Sequence, residues 1–152
     1  MRVDIRHLSA GDEDAVHAAA ALFDHEPDAE ATRRFLTEPT HHLLVAYDAA
    51  GGPVGFVSGV EMTHPDKGTE MFLYELAVDE SARRQGVGRS LVDALAALAE
   101  ERRCYDMFVL TDTDNVAAQR TYERGGASRT APPQLMLEWR FGDATRQGRE
   151  GG

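Results

Sequence analysis

Cysteine occurs once in the 152 residues, at Cys104, so the chain cannot form an internal disulfide. No Cys/His group has the spacing of a zinc site either, and no metal is expected. A reducing, cytoplasmic location is the expectation that follows. No apolar run approaches the roughly 18 to 20 residues needed to cross a bilayer, which argues against a membrane partner. The opening stretch MRVDIRHLSAGDED lacks the apolar core of a signal peptide, so nothing in it directs export. Basic residues are scarce: 16 Lys and Arg stand against 26 Asp and Glu, a formal net charge of −10. Phosphate backbones need a positive surface, so this balance argues against nucleic acid as a partner. It favours a cationic one, although acidity also serves solubility alone.

What is present reads as one mixed α/β domain over residues 1–141, with 142–152 as a disordered C-terminal tail lacking any apolar pattern. Val3 and Ile5 alternate with polar neighbours in an opening strand. Ser9 is a candidate cap for a helix through residues 10–23, and a second short helix starts near Asp28 and stops at Pro39. Two apolar runs around Ala49-Ala50-Gly51-Gly52 read as a hairpin, and 62–68 as a loop. A strand follows over 69–79. Val87, Leu91, Leu95 and Leu98 recur at helical spacing over 86–102. A strand over 104–112, a helix closed by Gly125-Gly126 and a last strand over 133–141 complete the order β-α-α-β-β-β-α-β-α-β. Trp139 and Phe141 are expected to pack that last strand or to meet a second copy in a homodimer. Cys104 is expected to be buried, and the pair His41-His42 and His64 to lie at the surface.

The stretch ESARRQGVGRSLVDAL places arginines and glycines at the mouth of the third long helix. A helix start has free backbone N–H groups and the positive end of the dipole, which together suit a phosphate. Gly86 and Gly88 allow an anion close to the backbone, and Arg83, Arg84 and Arg89 add charge around it. The dinucleotide fingerprint fails because Leu91 stands at its sixth position, and no Gly-Lys-Ser/Thr exists for a P-loop.

The run RRQGVG, residues 83–88, resembles the R/Q-x-x-G-x-G/A signature of the Gcn5-related N-acetyltransferase superfamily. The segment NVAAQRTYERGG resembles its N-x-x-A-x-x-x-Y-x-x-x-G pattern through Asn115, Ala118, Tyr122 and Gly126. The resemblance covers roughly residues 2–141 and implies a mixed, mostly antiparallel central sheet flanked by helices. It also implies acetyl-coenzyme A as co-substrate, with Arg83, Arg84, Gln85, Gly86, Val87, Gly88 and Arg89 around its pyrophosphate. The pantetheine arm would pair with backbone groups of Leu76, Ala77 and Val78 and touch Asn115 and Ala118. FLYELAVDESARRQGVGRSLVDAL is further similar to the aminoglycoside 3-N-acetyltransferase type I group. That group has aspartate where this chain has Glu75, one methylene longer.

Acetyl transfer from a thioester to an amine requires deprotonation of the amine, a donor to the developing oxyanion and a proton for the leaving thiolate. Glu75 is the first candidate for general base, since it interrupts an apolar run and desolvation would raise its pKa; a solvent-facing or arginine-paired side chain is the other reading. Asp112 is the rival: it could act as base, bind a substrate ammonium, or cap the following helix. Tyr122 resembles the family's general acid, against an ordinary core tyrosine. Acidic clusters at 24–30 and 61–80 suit a polycationic amine, with Glu26 and Glu61 joining Glu75 and Asp112 as candidate substrate contacts. The leading acceptor is the 3-amino group of an aminoglycoside. A polyamine, a peptide amine or another metabolite is the alternative within enzymes, and a non-catalytic acyl-CoA sensor the alternative outside them.

Overall fold

The computed structural model describes residues 1–142. Five strands form one sheet in the order β1 (Asp4–Leu8), β2 (His41–Tyr47), β3 (Pro53–His64), β4 (Gly68–Val78) and β5 (Met107–Val109). The first four pair antiparallel, and β5 joins β4 in parallel. Helices α1 (Glu13–Ala18) and α2 (Ala29–Thr37) precede β2, α3 (Val87–Glu101) links β4 to β5, and α4 (Val116–Arg124) follows β5. No helix among the described residues is long and apolar enough to cross a membrane.

Both faces of the sheet are covered, which explains why HHLLVAY reads as a continuous apolar run rather than an alternating one. Leu44 and Ala46 face one core with Val57, Met71, Leu73, Leu91 and Leu95 of α3. Leu43, Val45 and Tyr47 face the other, with Val16 of α1, Leu36 of α2 and Phe56. Glycine permits the close approach of α3, a Cβ on Gly59 coming to 2.9 Å from Leu95. A Cβ on Gly55 would lie 2.9 Å from the Ala77 carbonyl oxygen and 3.1 Å from Leu91.

Several expected elements differ. Residues 62–64 continue β3 rather than forming a loop, because Thr63 pairs with Thr69 and His64 with Gly68, leaving a turn of only 65–67. The helix expected over 10–23 is shorter. Asp12, not Ser9, stands at its N-cap, with the Asp12 carboxylate accepting from the Ser9 N–H, and a 3-10 turn at Ala20–Leu22 follows. Asp28 does cap α2, accepting from the Ala31 N–H at 2.8 Å. The strand expected over 104–112 shortens to Met107–Val109, and Cys104 is half-buried before it.

No strand forms over 133–141. Alternating apolar residues suit a pleated edge, but a strand requires a hydrogen-bonded neighbour, and none of the described strands pairs with this segment. Leu135, Trp139 and Phe141 are instead 90%, 76% and 78% exposed, so neither Trp139 nor Phe141 packs a last strand. Of the expected tail, 143–152 lie outside the described residues.

His42 is buried rather than at the surface, and it organises the far end of the sheet. Its Nε2 lies 2.7 Å from the Glu61 carboxylate, its Nδ1 3.1 Å from His7 Nε2, and Arg102 Nη2 reaches the same Glu61 oxygen at 3.0 Å. Burial opposes ionisation of Glu61, yet the hydrogen bonds from His42 and Arg102 prevail and hold its carboxyl below the usual range. Burial, with His42 and Arg102 close by, lowers the His7 pKa, and Glu101 opposes this only weakly. Both shifts stabilise the fold at neutral pH. The His7 contribution is present above its ordinary value of 6.5 and is lost as pH falls through the lower folded value. The Glu61 contribution is present above 4.5 and is lost below it. Urea unfolding midpoints should therefore fall in two stages on acidification, and His7→Gln should remove the first stage only. A midpoint independent of pH between 7 and 5 in the wild type would contradict this network.

Candidate active-site cleft

The cleft arises where two strands part. β4 and β5 pair only from Met71/Met107 to Leu73/Val109. Beyond that point the β4 edge at 74–78 has no strand beside it, and the opening leads to the start of α3. Open α/β sheets bind ligands at such a position, at the carboxyl ends of strands that diverge. The cleft measures about 1590 Å³, large enough for an elongated ligand.

A β-bulge sets which side chains look into it. Leu73 pairs with Gly59 and Glu75 with Ser58, so Tyr74 is an extra residue in β4. Met71 and Leu73 point at α3 before the bulge, and Leu76 and Val78 do so after it. Glu75 is thereby turned, with Ala77, to the α1/α2 face. There it is half-buried and lines the cleft together with Asp24. Burial, reinforced by the Asp24 charge, raises its pKa. Tyr74, left 51% exposed by the bulge, lines the same opening.

The far end of the cleft is built for an anion. Asp79 caps a 3-10 turn at Glu80–Ala82, accepting from Ser81 N–H and Oγ–H, which holds its own carboxyl low. The chain then enters α3 through Arg84 at φ 58° and Gly86 at φ 85°. The first is a left-handed conformation uncommon outside glycine, and the second is one that glycine accepts freely. Among the described residues no carbonyl receives the N–H groups of Val87, Gly88 and Arg89, which open into the cleft. Gly88 lies against α4: a Cβ there would meet Thr121 Cγ2 at 3.4 Å.

α4 closes the other wall. Asn115 caps it, its Oδ1 accepting from Ala118 N–H at 3.1 Å, so this cap is Asn115 rather than Asp112. Asp112 is exposed at the end of the strand and lines the cleft. Tyr122, two turns on, is buried to 9% exposure against the α3 core, and burial raises its pKa. Among the described residues its hydroxyl makes no hydrogen bond, and it too lines the cleft.

Most of the expected residues thus meet in one place. Glu75, Leu76, Ala77, Val78, Arg83, Arg84, Gly86, Val87, Gly88, Arg89, Asp112, Asn115, Ala118 and Tyr122 all border the cleft. Three do not. Gln85 turns back to donate to the Ser81 carbonyl, Glu61 is locked between His42 and Arg102 outside the lining, and Glu26 is exposed outside the lining too. The 61–80 run of acids does not act as one surface, since Asp66 pairs with His64 and Glu70 accepts from Tyr105 Oη–H. Asp24 takes the place expected of Glu26. Arg120 and Arg124 on α4 line the cleft unforeseen, although their four-residue spacing would have placed them on one helix face.

A glycine-flanked helix start beneath a parted parallel strand pair, with a buried tyrosine opposite, defines a coenzyme-binding group-transfer site. Comparison with known proteins agrees. The sequence profile of the acetyltransferase (GNAT) family matches residues 5–127, and the chain belongs to that family. Aminoglycoside N-acetyltransferase AAC(6')-Iy, solved in complex with CoA, has the same fold, with TM-score 0.75 at 20% identity over 92% of this chain and 95% of that one. L-2,4-diaminobutyric acid acetyltransferase of Streptomyces coelicolor is 36% identical over 88 residues, 55% of this chain and 51% of that protein. The chain thus spans about half the length of the curated relative it matches. Among solved structures, an aminoglycoside acetyltransferase, meta-AAC0020, from an uncultured soil metagenomic sample in complex with sisomicin superposes with TM-score 0.79 at 21% identity, covering 93% of this chain and 97% of that one. Ribosomal-protein-alanine N-acetyltransferase from Brucella melitensis biovar Abortus 2308 gives TM-score 0.72 at 23% identity over 91% and 100%. At these identities the likeness is one of fold.

The free amides at the start of α3 should bind a diphosphate group without any substrate present. Inorganic pyrophosphate is expected to raise the melting temperature of the wild type. In Gly86→Val, where a branched residue must hold φ 85° at a cost of about 1–2 kcal/mol, that rise should vanish while the fold persists. An equal rise in both proteins would place the anion elsewhere.

Proposed function

We propose that the chain is an N-acetyltransferase that passes the acetyl group of acetyl-coenzyme A directly to a primary amine of a polycationic small molecule. The observation that carries this reading is the division of charge along one cleft. Arg83, Arg84, Arg89, Arg120 and Arg124 gather at the α3/α4 end and outnumber Asp79 and Glu80 on the turn there, whereas Asp24, Glu75 and Asp112 lie where the strands part. The residues present fit the co-substrate: free amides for its pyrophosphate, an unpaired β4 edge for its amide-bearing arm, and a buried hydroxyl across from that edge. When bound there, acetyl-coenzyme A supplies an activated acyl group and a thiolate leaving group.

The chain's own groups do the rest. Glu75, its carboxyl raised by burial and by Asp24, is suited to remove a proton from the incoming ammonium near neutral pH. Asp112 supplies a second carboxylate at the same end and orients the cation. Of the backbone N–H groups of 76–78, those of Leu76 and Val78 face the open edge and are available to a carbonyl oxygen that gains negative charge, while that of Ala77 points at β3. Tyr122 stays protonated because burial raises its pKa, so it can donate to a departing thiolate. No covalent enzyme intermediate is needed.

The acceptor end bears on substrate class. Among the described lining residues it holds carboxylates and no lysine or arginine, so an amino acid's own carboxylate would be repelled there. An aminoglycoside carries several ammonium groups and no carboxylate. The likeness of 72–95 to the 3-N-acetyltransferase group favours its 3-amino position.

Thiol release from acetyl-coenzyme A, measured with a gentamicin-type aminoglycoside, spermidine, diaminobutyrate and a lysine peptide in parallel, tests this. Turnover is expected with the aminoglycoside first. Preference for diaminobutyrate would sink the charge argument, and tight binding with no turnover on any amine would favour a sensor. Glu75→Gln should lower kcat by about 10²-fold or more. Asp24→Asn should shift the acidic limb of the kcat/KM profile to lower pH, because removing a neighbouring negative charge lets Glu75 ionise more easily. Tyr122→Phe should reduce kcat far more than it weakens coenzyme binding. Equal losses in both would assign Tyr122 to packing.

A further inference from the structure

Two cationic side chains that add to the charge of the α3/α4 end have no assigned contact in the mechanism above. Arg120 and Arg124 stand one turn apart on α4 and both line the cleft. Among the described residues neither forms an ion pair or a hydrogen bond with its side chain. Their neighbours differ: Arg89 is held by both oxygens of Asp93, Arg83 donates to the Val78 carbonyl, and Arg129 is shared by Glu123 and Gln119. Among the described residues Arg84, which lines the same cleft, is also without such a partner. In a chain of net charge −10, acids to pair with these arginines are abundant, yet none does so.

Their placement relative to α3 is fixed by one contact. Thr121 abuts Gly88 at the α3 start, so Arg120 and Arg124, its neighbours at −1 and +3, flank the point where the free amides open. Those amides already satisfy a diphosphate. Coenzyme A carries a further phosphate, the monoester on the ribose 3′-oxygen, with about −1.5 to −2 charge at neutral pH. A dianion of this kind is matched by planar guanidinium donors rather than by a helix end.

We infer that Arg120 and Arg124, which line the same cleft as Arg84, form a second anion subsite that takes the 3′-phosphate of the coenzyme and selects it over dephosphorylated forms. This rests on the coenzyme reading of the cleft, and deepens it by separating the phosphate monoester from the diphosphate. The two arginines are positioning residues for the nucleotide and lie outside the acetyl-transfer chemistry. Arginine is required at both places because two forked donors one turn apart can enclose three phosphate oxygens, which a lysine point charge cannot do.

Calorimetric titration of the full chain with coenzyme A and with 3′-dephospho-coenzyme A provides the test, with no acceptor or turnover needed. The wild type is expected to bind coenzyme A at least about tenfold more tightly. Arg120→Gln/Arg124→Gln should bind coenzyme A only as well as the dephospho form, whose affinity stays near the wild-type value. Arg124→Lys should recover part of the preference. Melting temperatures without ligand should match, since both side chains are exposed. Equal binding of the two ligands by the wild type would overturn the proposal, as would a double variant that loses both in parallel, which would assign the arginines to the diphosphate. If neither ligand binds the wild type, the coenzyme reading itself fails, an outcome distinct from the other two.

Discussion

β4 and β5 run side by side for three residues and then part, and a backbone cannot part from its neighbour without cost. The N–H and C=O groups of 74–78 that point away from β3 lose the ladder partner that a longer β5 would supply, and of these the Val78 carbonyl accepts from Arg83 instead. The site exists because those groups are left for a ligand. The same divergence exposes the first amides of α3, which intrahelical geometry leaves without acceptors in any case. One opening therefore presents two kinds of unpaired backbone donor, one along a strand and one at a helix start, arranged in line. An elongated molecule with an amide-bearing arm at one end and a diphosphate at the other meets both. The acetyltransferase family to which the chain belongs uses such a molecule.

Side chains then grade the cleft. The extra residue Tyr74 reverses the alternation of β4, so Leu73 packs on α3 while Glu75, two positions on, faces the opposite layer. Without that insertion Glu75 would sit against Leu91 and Leu95, where a carboxylate has no place. With it, the group is partly desolvated and lies in the field of Asp24, which keeps a proton on it to higher pH than usual. Tyr122 reaches a comparable state by a simpler route, burial against the α3 core. The cleft's charge follows element by element: arginines on the loop before α3 and on α4, carboxylates on the 3-10 turn side, on β4 and after β5.

Rigidity comes from the other end of the molecule. His42, Glu61 and Arg102, with His7 at the rim, tie β1, β2, β3 and the end of α3 into one network. Removing any one partner would leave a buried charge or donor unmatched. That anchor holds the C-terminal end of α3, at Arg102, against the sheet, while the N-terminal end of the same helix opens on the cleft.

The sequence by itself determined the repeated period of α3, the turn RRQGVG, the cap and tyrosine of α4, and the apolar strands between them. These depend on residues within a few positions of one another, which is the range over which hydrophobic spacing, glycine conformation and capping act. The tertiary structure alone decided which of the many acids face the substrate. Glu61 and Glu26 looked as suitable as Asp24, but the β3 pairing drew Glu61 to His42, and the 3-10 turn after α1 brought Asp24 to the cleft in place of Glu26. It also decided that 133–141, alternating like a strand, does not join the five-stranded sheet, because strand formation depends on a neighbouring edge that no local pattern encodes. Arg120 and Arg124 became visible as a pair only once Thr121 was seen against Gly88. Charges and edges take their meaning from what lies across from them, and that is a property of the folded chain.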